Sequence, residues 1–301
     1  MSRRTLLALP LLALAVAGCG ASSSSGSAGA AVRVVAAENF WGSLAGQLGG
    51  DRVRVTNIIT SPDADPHDYE PRAVDARTMA GARLAIVNGI GYDTWASKLI
   101  AANPVGGRVV LNVGDLVGLK PGGNPHQWYS PATVQRVIDE IVADYKRLDP
   151  KDAAYFDRRR ALVQSRNLGR YRALIARIRA RYAGTPVGAS ESIFAPLAEA
   201  LGLRLLTPPA FLTAISEGTD PTAADKQTTD RQITQRQVKV WVYNRQNTIP
   251  DVKRLNGAAK QAGIPIATVT ETMTPANASF QQWQVRELEE LERALRAATG
   301  R

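Results

Sequence analysis

The sequence predicts an α/β fold of two (β/α) lobes with mainly parallel sheets, joined by one long rigid helix, with the ligand site in the cleft between the lobes. Three observations predict it. Short, almost wholly apolar strand segments alternate with helical patterns, as in βαβ units whose sheets are covered on both faces. The alternation runs through twice, once before and once after residue 150. Between the two runs, no strong helix breaker stands from Pro150 until Gly184 and Pro186, with Gly169 an isolated exception.

In the first half, Val32–Ala37 reads as a strand, followed by a helix over Phe40–Leu48. Val53–Ile59 is a second strand and Arg72–Ala82 a helix; Leu84–Asn88 is a third strand and Thr94–Ala102 a helix. Arg108–Val113 closes the set of strands. Thr133–Leu148 follows as a helix, with Val134, Val137, Ile138, Ile141, Val142 and Tyr145 on one face. Asp149 and Pro150 supply a helix start, as N-cap and first-turn proline. The helix they open carries an apolar stripe of Phe156, Val163, Tyr171, Ile175, Ile178 and Tyr182. About 30 residues at 1.5 Å each give on the order of 45–50 Å, the length of a whole two-lobed molecule. Its arginines read as a solvated face. In the second half the strands are Pro186–Ala189, Leu203–Leu206, Val238–Tyr243 and Ile264–Val269, and the helices Phe194–Leu201, Ile249–Ala262 and Phe280–Ala298. Residues 207–229 read as a polar, proline-containing loop region, with a further helix opening near Thr222. The division expected is therefore 1–18 signal peptide, 19–31 tether, 32–149 N-terminal lobe, 150–183 connecting helix and 184–301 C-terminal lobe, each lobe with a core of its own.

The amino terminus reads as an address. Arg3 and Arg4 precede the apolar run Leu6–Val16, and Val16-Ala17-Gly18-Cys19 is a small-residue cleavage site. The run is too short for the roughly 18–20 residues of a membrane span. A cysteine directly after such a site resembles the bacterial lipobox, which implies an acylated Cys19 as mature N-terminus. Residues 20–30 are almost all Gly, Ala and Ser, the composition of a flexible tether. The arginine pair suits either a twin-arginine or a general export signal. Cys19 is the single cysteine; once lipidated it leaves neither a disulfide nor a thiolate ligand, so any metal site must use nitrogen and oxygen donors. The formal charge is +10, or +8 once Arg3 and Arg4 are set aside. Without an aromatic-interleaved basic cluster, this excess argues against nucleic acid and fits weak attraction to an anionic membrane surface.

Only two histidines occur, and their settings are alike. His67 lies in Asp65-Pro66-His67-Asp68-Tyr69-Glu70-Pro71, and His126 in Asn124-Pro125-His126-Gln127-Trp128-Tyr129-Ser130-Pro131. Each follows a strand and precedes a helix, where α/β sheets place ligands. A preceding proline restricts the backbone, which suits a preorganised metal ligand. Tyr69, Trp95, Trp128 and Trp241 read as cleft walls and lobe core. The Gly89-Ile90-Gly91 step lacks the third glycine of a dinucleotide fingerprint.

These two motifs, with Asn88–Trp95, Ser190–Phe194, Ala210–Leu212 and Thr270–Thr272, resemble those of the zinc/manganese/iron solute-binding lipoproteins of ABC importers, through essentially all of residues 32–298. The resemblance implies a receptor and no enzyme: a lipid-anchored, extracytoplasmic monomer that binds one Mn, Fe(II) or Zn ion and passes it to a permease and its ATPase. It implies four ligands, two from each lobe. The first two match His67 and His126. The third is histidine in many zinc receptors and glutamate in many manganese or iron receptors; Glu191 stands there. The fourth is usually an aspartate, and Glu271 in its place is a departure. Asp65, Asp68 and Glu70 are expected to orient His67. Residues 117–125 lack the histidine-rich loop of many zinc receptors, which tilts the expected cargo toward manganese or iron. Two other classes remain open: a surface adhesin, compatible with transport, and a zinc metalloenzyme. The second needs an open coordination position and a base, and no HExxH or GxSxG motif is present.

Overall fold

The computed structural model describes residues 31–301 except 63 and 65. The expected signal peptide, Cys19, the tether to residue 30 and Asp65 lie outside the described residues. Within them the chain runs β1 (Val32–Glu38), α1 (Asn39–Gly49), β2 (Val53–Ile59), α2 (Ala73–Ala80), β3 (Leu84–Val87), α3 (Thr94–Ala102), β4 (Val109–Asn112), α4 (Val113–Val117) and α5 (Pro131–Leu148). It continues through α6 (Ala153–Leu162) and α7 (Gly169–Tyr182) into β5 (Pro186–Ala189), α8 (Ala195–Ala200), β6 (Arg204–Leu205), α9 (Pro209–Ser216) and α10 (Ala223–Thr234), and ends with β7 (Val240–Asn244), α11 (Pro250–Gln261), β8 (Ile266–Val269) and α12 (Phe280–Thr299).

Two four-stranded parallel sheets result, in the orders β2-β1-β3-β4 and β6-β5-β7-β8. The orders are the same, so each sheet reverses its winding between its first and third strands. A crevice forms at such a reversal, beyond the carboxyl ends of the strands. The central strands β1 and β3 are almost wholly apolar because both of their faces are covered. Along β1, Val34 and Ala36 enter one apolar cluster while Val35 and Ala37 enter another; Leu84/Ile86 and Ala85/Val87 of β3 divide in the same way. Space on the second sheet is tight. A Cβ on Gly188 of β5 would stand 2.8 Å from the Trp241 ring.

Three expectations are corrected. The lobes do not have wholly separate cores: one cluster runs from Val34 and Leu84 in the first sheet to Val240 and Ala267 in the second. Aromatic rings carry it across. Phe40 of α1 stacks on Trp128 at 4.3 Å and faces Trp283 of α12 at 6.3 Å, and Tyr129 meets Trp283 at 5.7 Å. The uninterrupted connecting helix is instead α6 and α7 joined by a π-helical turn at Val163–Asn167, where Leu168 N–H donates to the Val163 carbonyl at 2.9 Å. The wider turn lets Val163 and Leu168 both reach the core. Several of its arginines are not merely solvated but reach neighbouring helices, as Arg160 does to Asp139 and Arg177 to Glu292. Finally, the loop expected over 207–229 contains α9. Pro209 occupies its first turn, where a missing N–H costs nothing, and Phe211, Leu212 and Ile215 are buried.

Candidate metal centre

His126 is fully buried, in the loop that leads through a 3₁₀ turn (Gln127–Tyr129) into α5. Its surroundings decide its tautomer. Asn124 Oδ1 accepts the His126 backbone N–H at 3.0 Å and the Nδ1–H at 2.7 Å, while Asn124 Nδ2 donates to the Ser192 carbonyl at 2.7 Å. An amide oxygen can only accept, so Nδ1 carries a proton, and in the neutral ring the lone pair is on Nε2. The loop is braced from beneath by Asn88, whose Nδ2 donates to the Pro125 carbonyl at 2.9 Å and whose Oδ1 accepts from Trp41 Nε1. The Asn88–Asp93 loop is unusual in turn, because Ile90 has a φ of 59° between two left-handed glycines. For a β-branched residue that conformation is strained. Asp93 stabilises it by accepting from the N–H groups of Asn88 and Gly89 at 2.7 and 2.8 Å. Burial, and then the charge of Asp93, hold the neighbouring Glu38 carboxyl well above its ordinary range.

Glu271 arrives from the other lobe, just past β8. Its Oε1 lies 3.3 Å from His126 Nε2 and accepts from Asn244 Nδ2 at 3.2 Å. Its Oε2 accepts from the Tyr92 hydroxyl at 3.0 Å, and its backbone N–H donates to Gln246 Oε1 at 2.5 Å. Burial pushes this carboxyl up, but the imidazoles of His126 and His67 and the Tyr92 hydroxyl outweigh burial and leave it below its usual value. It is a carboxylate.

His67 lies between β2 and α2, partly exposed, with its ring edge-on to Tyr92 at 4.6 Å. Donor atoms of His67, His126 and Glu271 all fall within 4.8 Å of one another. Glu191 is not in that group of three. It follows β5, is 3% exposed, and lines the same cavity of about 850 Å³ as His67 and Glu271. Asp68 and Glu70 are exposed. Trp128 and Trp241 are buried in the core, and Tyr69 packs on Trp95 at 4.8 Å. The residues not singled out from sequence are Asn124, Tyr92 and Gln246. The first two stand inside motifs already marked, whereas Gln246 carried no signal.

The donor set fits a divalent ion. Ligands about 2.1 Å from a tetrahedral ion stand about 3.4 Å apart, and His126 Nε2 and Glu271 Oε1 are 3.3 Å apart. A contact of this length is held either by a proton on Nε2 or by a metal cation between the two atoms. Two imidazoles and a carboxylate suit zinc, iron and manganese, and this cluster among the described residues holds no thiolate to draw Cu(I).

The ZnuA family, described as the periplasmic component A of a zinc-uptake complex, matches residues 34–294. The manganese-binding lipoprotein MntA of Halalkalibacterium halodurans is 28% identical over 133 residues, covering 42% of this chain and 43% of its own. The iron-binding protein YfeA of Yersinia pestis is 27% identical over 183 residues, 57% of each. The chain thus spans about half the length of these curated relatives. A Mn-bound mutant of a periplasmic metal-binding protein from Candidatus Liberibacter asiaticus shares the fold, with a TM-score of 0.75 at 18% identity over 88% of this chain and 99% of that one.

Proposed function

The chain belongs to the ZnuA family of periplasmic metal-uptake components, and we propose that it is the extracytoplasmic receptor of an ABC importer, capturing one divalent transition-metal ion and delivering it to the permease and its ATPase. The observation that carries this reading is the convergence of His67, His126 and Glu271, whose metal-donor atoms from opposite lobes lie within 4.8 Å of one another, with His126 Nε2 and Glu271 Oε1 at 3.3 Å. An ion held there bridges the lobes and adds to the contacts that hold them closed. His67 supplies the third donor. Glu191 completes the set by turning its side chain within the shared cavity. Four protein donors close the coordination sphere, as a carrier needs; a catalytic zinc keeps a position open.

The metal follows from the donors. Two carboxylates can each bind through one oxygen or two and so allow coordination above four, which favours Mn(II) or Fe(II) over Zn(II) as cargo; zinc still binds tightly in vitro, by the ordering of divalent affinities. Relatives are named for manganese, iron and zinc alike, so the preference rests on the donors alone. Acylation at Cys19 tethers the receptor to the membrane as a monomer. Elemental analysis of protein purified from its native envelope tests the assignment: about one equivalent of Mn or Fe is expected, and protein free of transition metal would overturn it.

A further inference from the structure

Two amide side chains stand in matching positions, one on each side of the cleft. Asn124, from the first lobe, accepts from His126 through Oδ1 and crosses the cleft through Nδ2 to the Ser192 carbonyl. Gln246, from the second lobe, accepts from the N–H groups of Glu271 and Thr272 through Oε1 at 2.5 and 3.1 Å. Its Nε2 donates to Thr272 Oγ1 at 2.9 Å and crosses the cleft to the Pro62 carbonyl, in the loop that leads to His67. Each amide therefore uses its oxygen to hold a metal-facing residue of its own lobe and its nitrogen to grip the backbone of the other.

We infer that Asn124 and Gln246 are reciprocal latches: each ties the placement of its own lobe's metal-facing residue to closure of the cleft, so that His126 and Glu271 take their metal-binding positions only when the lobes are together. The oxygen of a primary amide accepts and its nitrogen donates, so one planar group transmits geometry in both directions. A carboxylate in its place keeps the acceptor and loses the donor. Ion release then requires breaking both latches, which makes opening of the cleft the gate for delivery. The inference rests on the metal-receptor reading, but its test does not need the metal.

The test is hydrogen exchange in the metal-free protein, with Asn124→Asp and Gln246→Glu read at the lobe that does not carry the substitution. In Asn124→Asp, exchange at the Glu271 and Thr272 amides rises about fivefold; in Gln246→Glu, exchange at the His126 amide does the same. Fivefold is what loss of one ordinary hydrogen bond does to an opening equilibrium. Asn124→Ala and Gln246→Ala, which add no charge, must show the same crossing, and unchanged protection of β1 and β5 identifies a folded variant. Faster exchange confined to the substituted lobe, or no change in either lobe, would overturn the latch. If native protein takes up no Mn, Fe(II) or Zn ion on titration, the receptor reading falls while the exchange result still decides the latch.

Discussion

His126 Nε2 and Glu271 Oε1 face each other across the cleft at 3.3 Å, and Asn124 holds the imidazole proton on the far nitrogen. Replacing Glu271 by Gln puts a neutral amide opposite the lone pair. The amide can donate to Nε2, so the metal-free variant should melt within a few degrees of native protein. Metal affinity should fall by more than the roughly 10–100-fold that loss of an outer hydrogen-bond partner costs. Competitive titration with a chromophoric chelator measures it.

Tyr92→Phe removes the hydroxyl that donates to Glu271 Oε2 and leaves the ring that packs on His67. Affinity should fall about tenfold, within the range for such partners, with ion stoichiometry unchanged. A loss as large as that of Glu271→Gln would mean that Tyr92 does more than orient the carboxylate.

Glu287 gives a pH test away from the metal. Burial raises its carboxyl to about 8, against hydrogen bonds from Tyr129, Thr270 and Trp283 that lower it. A neutral carboxyl keeps its acceptor contacts: the Tyr129 hydroxyl, which accepts from the Thr270 N–H at 3.1 Å, donates to Glu287 Oε2 at 2.6 Å. Oε1 accepts from Thr270 Oγ1 and Trp283 Nε1 at 2.9 and 2.8 Å. The folded protein keeps this proton up to about pH 8, whereas the unfolded chain releases it near 4.5. This group therefore costs stability as pH rises through that window, by at most about 1.4 kcal/mol per pH unit. Glu287→Gln reproduces the neutral donor–acceptor pattern and should flatten the decline. Urea denaturation at pH 5 and pH 8.5 checks it; parallel curves for the two proteins would contradict the neutral carboxyl.

Gly188→Ala tests the packing of the second sheet. The new Cβ would stand 2.8 Å from a Trp241 ring that is fully buried and bonded through Nε1 to Asn256. Overpacking of this kind costs about 1–3 kcal/mol. Chemical denaturation of the metal-free protein should show that loss.

Much of the fold was legible because its central strands are buried on both faces. Apolar runs such as Leu84–Val87 and Pro186–Ala189 can be bounded by eye, and all eight strands fall within two residues of their expected limits. The helix α9 was not legible, since Pro208-Pro209 reads as a break until the apolar face of Phe211, Leu212 and Ile215 has a core to meet. Nor was the shared core, because Phe40, Trp128 and Trp283 are far apart in sequence and meet only through the packing of α1 on α12. At the site, local chemistry marked His67 and His126 through their Pro-His steps. The cross-cleft partners left no local mark. Asn124 reaches 68 residues along the chain to Ser192, and Gln246 reaches 184 residues back to Pro62.

We propose that one ion joins the two lobes through His67, His126, Glu191 and Glu271. Anomalous diffraction from crystals loaded with Mn(II), recorded at the manganese edge, tests it most directly. A single peak within bonding distance of all four side chains is the predicted result. A peak that His67 and His126 do not share, or one bound at another place on the surface, would contradict it.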